Sequence, residues 1–273
     1  MPELPEVETL RKSIEPFLLN KRILAVDILE IRLRWPVVPN DFDRWVKNVK
    51  VIKLSRRSKY LLWHLENDAV VVIHLGMSGR LGLFQKSDPL EKHTHLIFNF
   101  KDQQIRFRDP RRFGLVEVIP QGGLAHYPRF KNLGVEPLSS DFHQKNVAKW
   151  LKNSKKPIKN WIMDAQNIVG VGNIYANEAL FDAGIHPTRP ARSLKNDEQQ
   201  RLVQSVKSVL AAAIDKGGTT LNDFRDARSE PGFFQLDLCV YHKEGQPCRA
   251  CGRKIQRIVM SGRSTFFCPS CQA

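Results

Sequence analysis

Four cysteines near the carboxyl end constrain the fold of this chain more than any other feature. They fall as Cys248-x2-Cys251-x16-Cys268-x2-Cys271, a spacing typical of two tight turns that each present two thiolates to one metal ion. Four thiolates complete a tetrahedron and leave no open position for catalysis, so this spacing predicts one structural Zn2+ per chain. Two disulfides are the alternative. We favour zinc because the start of the sequence lacks the pattern of an export signal.

The residues between the two cysteine pairs predict a two-stranded hairpin. Period-two alternation over residues 254–259 and a second short run at 264–267 indicate strands, and Gly262 between them indicates the turn. Arg263 would then lie at the hairpin tip. We therefore predict a zinc-ribbon β-hairpin domain over residues 238–273, with Cys239 as a thiol outside the metal site.

The charge of the chain predicts a polyanionic partner. Lys and Arg number 43 against 28 Asp and Glu, which gives a net charge of +15, and nucleic acid is the partner that such a surplus favours. The tail after Cys239 is basic. One further stretch contains no acidic residue and seven basic ones: Arg44, Lys47, Lys50, Lys53, Arg56, Arg57 and Lys59. Either stretch alone is also compatible with a solvated charged face.

The sequence predicts neither a membrane span nor a targeting segment. No apolar run approaches the ~20 residues that cross a bilayer. The first residues include Glu3, Glu6 and Glu8, whereas a secretory signal begins with a basic region followed by an apolar one. We therefore expect a cytoplasmic protein without a membrane partner.

The first half of the chain predicts a helix followed by a β-sandwich. Pro5 suits the first turn of a helix, and Val7, Leu10 and Ile14 recur at three- and four-residue spacing. Eight short runs with period-two character follow, which favours a sandwich. The predicted strands are 23–33, 49–54, 60–65, 70–75, 81–84, 96–100, 105–108 and 115–119. We place this domain at residues 1–130.

The second half of the chain predicts helices. Residues 121–140 are rich in Gly, Pro and Ser, which indicates a linker. Helical patterns follow at 147–151, 158–166, 174–181 and 198–214. We assign a helical domain to residues 131–237, so the fold class of the whole chain is α+β.

Two glycine-containing loops in this half have two interpretations each. The loop at 167–173 is either a plain helix–helix turn or a phosphate cradle at a helix amino terminus. Gly217-Gly218-Thr219-Thr220 is either a helix cap or part of a loop over a ligand.

Pro2 is a candidate nucleophile. If Met1 is removed, Pro2 becomes the first residue and its amine is secondary. An α-amino group has a pKa of about 8, so part of it is unprotonated near neutral pH, and such amines form Schiff bases with carbonyl-like carbons. Glu3 is next to it as a possible proton donor. The alternative is that Pro2 only stiffens the entry to the first helix.

Five segments together resemble bacterial formamidopyrimidine-DNA glycosylase. They are MPELPEVET at 1–9, HLGMSG at 74–79, DPRRFG at 109–114, VGVGNIY at 169–175, and the four terminal cysteines. They occur in the family's order and span the whole chain. The resemblance implies that the helical part is a helix-two-turn-helix DNA-binding domain and that the ribbon is its zinc finger.

The resemblance implies a bifunctional DNA glycosylase and AP lyase of base excision repair. Such an enzyme removes 8-oxoguanine and formamidopyrimidines from duplex DNA through a Schiff base on Pro2, followed by β- and δ-elimination. It implies catalytic roles for Pro2, Glu3, Lys59 and Arg263. Activity then depends on removal of Met1. The implied partner is double-stranded DNA with a damaged base, bound by a monomer that associates with the bacterial nucleoid.

The resemblance also implies a set of DNA contacts. Met77, Arg111 and Phe113 match residues that fill the gap left by the flipped nucleotide, with Arg111 reading the opposite cytosine. The residues from 217 to 233 match a loop that caps the flipped base. The remaining implied DNA-binding residues are Glu6, His93, Lys159, Asn173 and Tyr241.

Two other functions compete with this one. A non-enzymatic zinc-ribbon protein that binds nucleic acid explains the charge and the cysteines, but it does not explain Pro2 followed by Glu3. A glycosylase that prefers oxidised pyrimidines is the closer alternative, and the rates on the two kinds of lesion distinguish them.

Overall fold

The computed structural model describes residues 2–219 and 234–273. Contacts divide these residues into two compact units, one containing 2–131 with 217–219 and the other containing 132–216 with 234–273. Most of the predicted loop between 217 and 233 therefore lies outside the described residues, as does Met1. None of the helices described is both long and apolar enough to cross a membrane.

The first unit begins with helix α1, Leu4–Leu18. Glu3 is its N-cap, and Pro5 lies in the first turn, where the missing N–H costs no helical hydrogen bond. The predicted apolar face is buried: Val7, Leu10 and Ile14 are at most 1% exposed. The helix is thus fixed along its length, and its amino-terminal end is held in place with it.

Nine strands of the first unit form two antiparallel sheets. The five-stranded sheet has the order β1-β3-β4-β5-β9, and the four-stranded sheet has the order β2-β7-β8-β6. The strands are β1 Arg22–Ile23, β2 Ala25–Ile28, β3 Val49–Arg57, β4 Tyr60–Leu65, β5 Val70–His74, β6 Arg80–Phe84, β7 Thr94–Asn99, β8 Gln104–Arg108 and β9 Leu115–Ile119. Trp63 of β4 and Phe98 of β7 meet edge to face with ring centroids 4.8 Å apart, so the two sheets share one core, which confirms the predicted sandwich.

Several strand ends differ from the predicted bounds by one to three residues, as for Val49–Arg57 and Thr94–Asn99. Two differences are larger. The predicted strand 23–33 is two short strands, because Ile23 pairs with Val49 in one sheet and Ala25 pairs with Asn99 in the other. A short helix, α2 at Pro39–Trp45, was not predicted. It buries only Phe42 among its seven residues, so no helical periodicity is visible in the sequence.

Four helices form the core of the second unit. They are α3 Gln144–Leu151, α4 Ile158–Met163, α5 Asn173–Asp182 and α6 Asn196–Asp215. Helix α4 ends before the predicted residue 166 because Asp164 has an extended backbone. Oδ1 of Asp164 accepts the N–H of Gln166 at 3.0 Å. This bond forms a local turn that competes with continuation of the helix.

The predicted hairpin is present in the second unit. Strands β10, Gln256–Met260, and β11, Arg263–Phe267, pair antiparallel. Ser261 and Gly262 form the turn with φ values of 47° and 72°, as a two-residue turn between twisted strands requires.

The ribbon is anchored to helix α5 by polar side chains. The buried carboxylate of Glu178 accepts the backbone N–H groups of Cys239, Val240 and Tyr241 at 2.7, 3.0 and 2.8 Å. The side-chain oxygen of Asn177 accepts the N–H of Phe266 at 2.7 Å. Helices and ribbon therefore form one compact unit, while the division into domains at residue 237 stays a prediction.

Candidate functional site

The amino terminus of α1 presents Pro2 and Glu3. Pro2 is half-buried, and Glu3 is 3% exposed with an extended backbone at the N-cap. The Glu3 N–H donates to Glu6 Oε2 at 2.8 Å, which fixes the backbone next to Pro2. Aligned peptide dipoles place a partial positive charge at this helix end, which stabilises carboxylates there.

Glu6 is placed differently from the DNA contact that the resemblance implies. It is 2% exposed, and its Oε1 accepts the N–H and the hydroxyl of Thr219, both at 2.9 Å. Gly218 has φ +78°, and a Cβ at this position would lie 3.0 Å from Glu6 Oε1. Glu6 thus holds Glu3 on one side and Thr219 on the other, and its contact with DNA stays a prediction.

Lys59 lies in the turn between β3 and β4. Ser58 has φ +56°, and its carbonyl accepts Arg56 Nη1 at 2.7 Å. Arg56 Nε also lies 3.4 Å from Glu8 Oε2 on α1. The turn that carries Lys59 is thus attached to the helix that begins next to Pro2 and Glu3.

His74, at the end of β5, is a neutral imidazole in the fold. Burial lowers its pKa to about 4, and the positive charges of Lys59 and Arg34 act in the same direction. Its Nδ1 accepts the N–H of Gly76 at 3.0 Å, so the proton of the neutral ring is on Nε2. In the sequence His74 begins the segment HLGMSG, but the pattern alone did not indicate a role for it.

Acidification is expected to destabilise the first unit through His74. An unfolded histidine has a pKa of about 6.5, so between about pH 7 and pH 4 the unfolded chain binds a proton that folded His74 does not. The free energy of unfolding should fall as the pH falls through this window. His74→Gln should show a smaller pH dependence in urea unfolding, whereas replacing the exposed His126 with Gln should not change it. Equal slopes for His74→Gln and the parent chain would contradict the assignment.

Two loops of the first unit carry the predicted gap-filling residues. Met77 is in the loop 75–79 and is 45% exposed, while Phe113 is in the loop 109–114 and is 41% exposed. The Arg111 guanidinium lies 4.6 Å from the centroid of the Phe113 ring. Gly76 has φ +61°, and a Cβ there would lie 2.5 Å from the Phe113 carbonyl. The two loops are therefore in contact, and their large side chains are exposed.

Arg112 shapes the second of these loops. It has a left-handed backbone, φ +57°, which is uncommon for a residue with a side chain. Its guanidinium lies 2.9 Å from Glu30. Hydrogen bonds from Arg32, with the positive charge of Arg112, lower the pKa of Glu30 to about 2, so the carboxylate that faces Arg112 is ionised near neutral pH.

His93 lies before β7 in the same unit. It is half-buried with φ +69°. Its carbonyl accepts the N–H of Asp109 at 3.0 Å. Partial burial and nearby positive charges lower the pKa of its imidazole, which is therefore mainly neutral near pH 7.

Lys159 and Asn173 meet in the second unit. The Lys159 ammonium donates to Asn173 Oδ1 and Thr265 Oγ1, both at 2.6 Å, and to the Ser264 carbonyl at 3.3 Å. Asn173, the first residue of α5, donates from Nδ2 to the same carbonyl at 3.0 Å. Lys159 is only 1% exposed. In this structure Lys159 therefore links α4, α5 and the hairpin, and its contact with a phosphate stays a prediction.

The hairpin tip carries the exposed Arg263. Asn160 Nδ2 donates to the Ser261 hydroxyl at 2.6 Å, so the tip is also attached to α4 through this bond. Tyr241 is half-buried and stacks on His242 with ring centroids 4.5 Å apart. The structure thus brings the loop of Met77 against the loop of Arg111 and Phe113 in the first unit, and Lys159 and Asn173 against the hairpin of Arg263 in the second.

The four cysteine sulfurs of the ribbon form a structural zinc site. All four lie within 4.8 Å of one another, and the distances are 3.5 Å for Cys251–Cys268 and 3.9 Å for Cys248–Cys271. A tetrahedron with Zn–S bonds of ~2.3 Å has edges of about 3.8 Å. Hydrogen bonding from the Arg253 N–H lowers the pKa of the Cys251 thiol to about 7, which favours the thiolate that zinc requires.

Zinc content provides a direct check of this site. Cys268→Ser is expected to reduce bound zinc from about one per chain to near zero and to destabilise the ribbon, because metal binding and folding of such domains are coupled. Cys239→Ser is the matched control, since Cys239 lies outside the sulfur cluster. Zinc content by plasma emission spectroscopy is the measurement, and retention of zinc by Cys268→Ser would contradict the site.

Three family models match the chain in succession. They are the formamidopyrimidine-DNA glycosylase N-terminal domain at residues 1–116, the formamidopyrimidine-DNA glycosylase H2TH domain at 133–225, and a zinc finger found in FPG and IleRS at 245–273. Relatives named formamidopyrimidine-DNA glycosylase from Laribacter hongkongensis and Alteromonas mediterranea are 46% and 45% identical over 273 residues. Each alignment covers 100% of both chains.

Solved structures of the Lactococcus lactis FPG protein have the same fold. A mutant bound to Fapy-dG containing DNA superposes with a TM-score of 0.93, and a complex with abasic site containing DNA with 0.92. A complex with oxidized pyrimidine containing DNA gives 0.91. Each is 34% identical and covers 99% of both chains.

Proposed function

Because the chain belongs to the formamidopyrimidine-DNA glycosylase family, we propose that it is a bifunctional DNA glycosylase and AP lyase that removes oxidised purines from duplex DNA. The observation that carries this proposal is Pro2, placed directly before a buried Glu3 at the amino terminus of α1. A non-enzymatic DNA-binding protein has no need for this pair.

The proposed chemistry begins with the secondary amine of Pro2. Its lone pair attacks the C1′ carbon of the damaged nucleotide, the bond from C1′ to the base breaks, and the base leaves with the bonding electrons and a proton. The product is an iminium ion between Pro2 and the opened sugar. Its positive charge acidifies the C2′ proton, so β-elimination expels the 3′ phosphate and δ-elimination expels the 5′ phosphate.

Glu3 is the proposed proton donor to the sugar ring oxygen. Ring opening requires a proton on O4′, and a carboxyl group held within reach supplies it by general acid catalysis. Burial of Glu3 and its fixed backbone support this role, because both limit the conformations of the side chain. Lys59, on a turn attached to α1, is the proposed partner of a phosphate near the lesion.

Met77, Arg111 and Phe113 are the proposed fillers of the space left by the flipped nucleotide. Taking a base out of the stack costs a few kcal/mol, and inserted side chains replace part of the lost stacking. The exposure of Met77 and Phe113 supports this role, because both side chains are accessible to a duplex and lie on two loops that are in contact. Arg111 has two N–H donors for the opposite cytosine.

The second unit is proposed to bind the phosphate backbone. Asn173 begins a helix, and helix amino termini bind anions, while Arg263 extends from the hairpin. Tyr241 and His93 are further proposed contacts. The net charge of +15 supports a polyanionic partner.

Lys159→Met should distinguish a link from a direct phosphate contact. We expect the free energy of unfolding to fall by about 1–3 kcal/mol, because buried acceptors lose their donor, and DNA binding to weaken with an unchanged salt dependence. A direct contact would instead reduce the slope of log K against log salt by about 0.9. Lys155→Met, at an exposed lysine, is the control.

Borohydride trapping tests the proposed function. The protein should become covalently attached to duplex DNA with 8-oxoguanine opposite cytosine, because only an iminium former is reduced onto its substrate. Failure to trap on this duplex and on abasic DNA would exclude the lyase. Oxidised pyrimidines are a second candidate substrate, since the Lactococcus lactis protein also forms a complex with DNA of that kind. Faster excision of thymine glycol than of 8-oxoguanine would favour them.

A further inference from the structure

Asp109 is a buried carboxylate that the proposed chemistry leaves unused. It directly follows β8 and begins the loop 109–114, and its exposed fraction is 0%. Burying an ionised carboxylate is costly unless hydrogen bonds replace its water shell. The groups that supply these bonds therefore indicate what the carboxylate holds in place.

The Asp109 carboxylate joins the two loops that carry the gap-filling residues. Oδ1 accepts the hydroxyl of Ser78, the neighbour of Met77, and the N–H of Arg111 at 3.3 Å. Oδ2 accepts the N–H of Gly114, the neighbour of Phe113, at 2.7 Å. One side chain thus accepts hydrogen bonds from Arg111 itself and from the neighbours of Met77 and Phe113, the three residues proposed to enter the DNA.

The backbone of Asp109 is itself fixed to the four-stranded sheet. Its N–H donates to the His93 carbonyl at 3.0 Å. Its carbonyl accepts a bond from His95 Nε2 at 2.8 Å, and His95 is a buried residue of β7. Asp109 therefore attaches both loops to the four-stranded sheet as well as to each other.

We propose that Asp109 is a positioning residue that sets where Met77 stands relative to the Arg111–Phe113 pair, and thereby sets the preference for the base opposite the lesion. This inference rests on the proposed function, because it requires that these three side chains enter the duplex. Asp109 does not touch DNA. It acts through Ser78 and through the backbone of the loop that carries Arg111.

Asp109→Asn disrupts this positioning with little change in side-chain volume. An amide has one acceptor oxygen and one donor nitrogen, so it faces either the Gly114 N–H or the Arg111 N–H with a donor. In one orientation the Gly114 N–H loses its acceptor. In the other the Arg111 N–H loses Oδ1 and keeps only the Ser78 hydroxyl, which also accepts it at 3.3 Å. Ser78→Ala removes the contact to the other loop, and Ser78→Thr keeps a hydroxyl at the same position.

The experiment compares single-turnover excision of 8-oxoguanine opposite cytosine and opposite adenine. The ratio of the two rates is taken within one preparation, so it does not depend on the fraction of folded protein. We expect Asp109→Asn and Ser78→Ala to reduce the ratio by about tenfold, the value of one well-placed base contact, and Ser78→Thr to restore it. Asp102→Asn, at an exposed aspartate of the same unit, should keep the parent ratio.

Arg111→Ala distinguishes a failure of the positioning role of Asp109 from a failure of the gap-filling assignment. If it reduces the ratio while Asp109→Asn and Ser78→Ala keep the parent value, the positioning role of Asp109 is overturned and the proposed function stands. If Arg111→Ala also keeps the parent ratio, the assignment of the gap-filling residues fails, and the inference about Asp109 fails with it.

Discussion

An amino-terminal tag left on the chain is expected to reduce borohydride trapping on 8-oxoguanine DNA to background. With any residue before it, the Pro2 nitrogen is part of a peptide bond. Resonance with the carbonyl removes the lone pair from nucleophilic use, so no iminium ion forms and the covalent route is closed. We expect excision and strand cleavage to fall by at least about three orders of magnitude, as for the loss of a covalent nucleophile.

The measurement compares the tagged chain with the same chain after cleavage exposes Pro2. Intact-mass spectrometry establishes which residue is first in each preparation, and gel electrophoresis quantifies the covalent complex. DNA binding by the tagged chain provides the control for folding. A preparation that still carries a residue before Pro2 and traps at the full level would rule out Pro2 as the nucleophile.

Glu3→Gln is expected to cause the second largest loss. Glutamine has nearly the same size as glutamate but carries no acidic proton, and general acid catalysis contributes roughly 10²–10⁴-fold. Single-turnover excision of 8-oxoguanine should slow by a factor in this range. The fold should persist, because glutamine keeps a side-chain oxygen that can accept the capping-box N–H, and the bond from the Glu3 N–H to Glu6 does not involve the substituted group.

Glu15→Gln is the matched control for this substitution. Glu15 is on the same helix and pairs with Arg11 at 2.9 Å, far from the amino terminus. It should change the excision rate by less than about twofold, since an i,i+4 helix pair contributes only about 0.3–0.5 kcal/mol to stability. A Glu3→Gln variant that behaves like this control would remove Glu3 from the acid role.

Strands that pair with the same neighbouring strands over their whole length were predictable from the sequence. The strands Tyr60–Leu65 and Leu115–Ile119 were predicted to the residue, because each has a clear pattern and keeps its partners throughout. The segment after Arg22 was predicted as one strand and is two. Its apolar pattern continues through Leu24 while its partner changes from β3 to β7, and a single strand contains no sign of a change of sheet.

The same reasoning explains which site residues were understood early. The cysteine pairs are recognisable from local spacing alone, whereas Pro2 was a candidate nucleophile whose predicted role came from the resemblance. The environments of Glu6 and Lys159 depend on partners 213 and 106 positions away in sequence, Thr219 and Thr265. Both were assigned to DNA from the resemblance, and only the tertiary structure shows that both side chains are buried.

The anchoring of the ribbon by Glu178 has a consequence for protein engineering. Three N–H groups before the first zinc ligand take their acceptor from helix α5. A zinc ribbon grafted from a relative would lack an acceptor for these three N–H groups unless the graft also carried the glutamate of α5. Chimeras of this family should therefore be joined ahead of α5, so that the helix and the ribbon are inherited together.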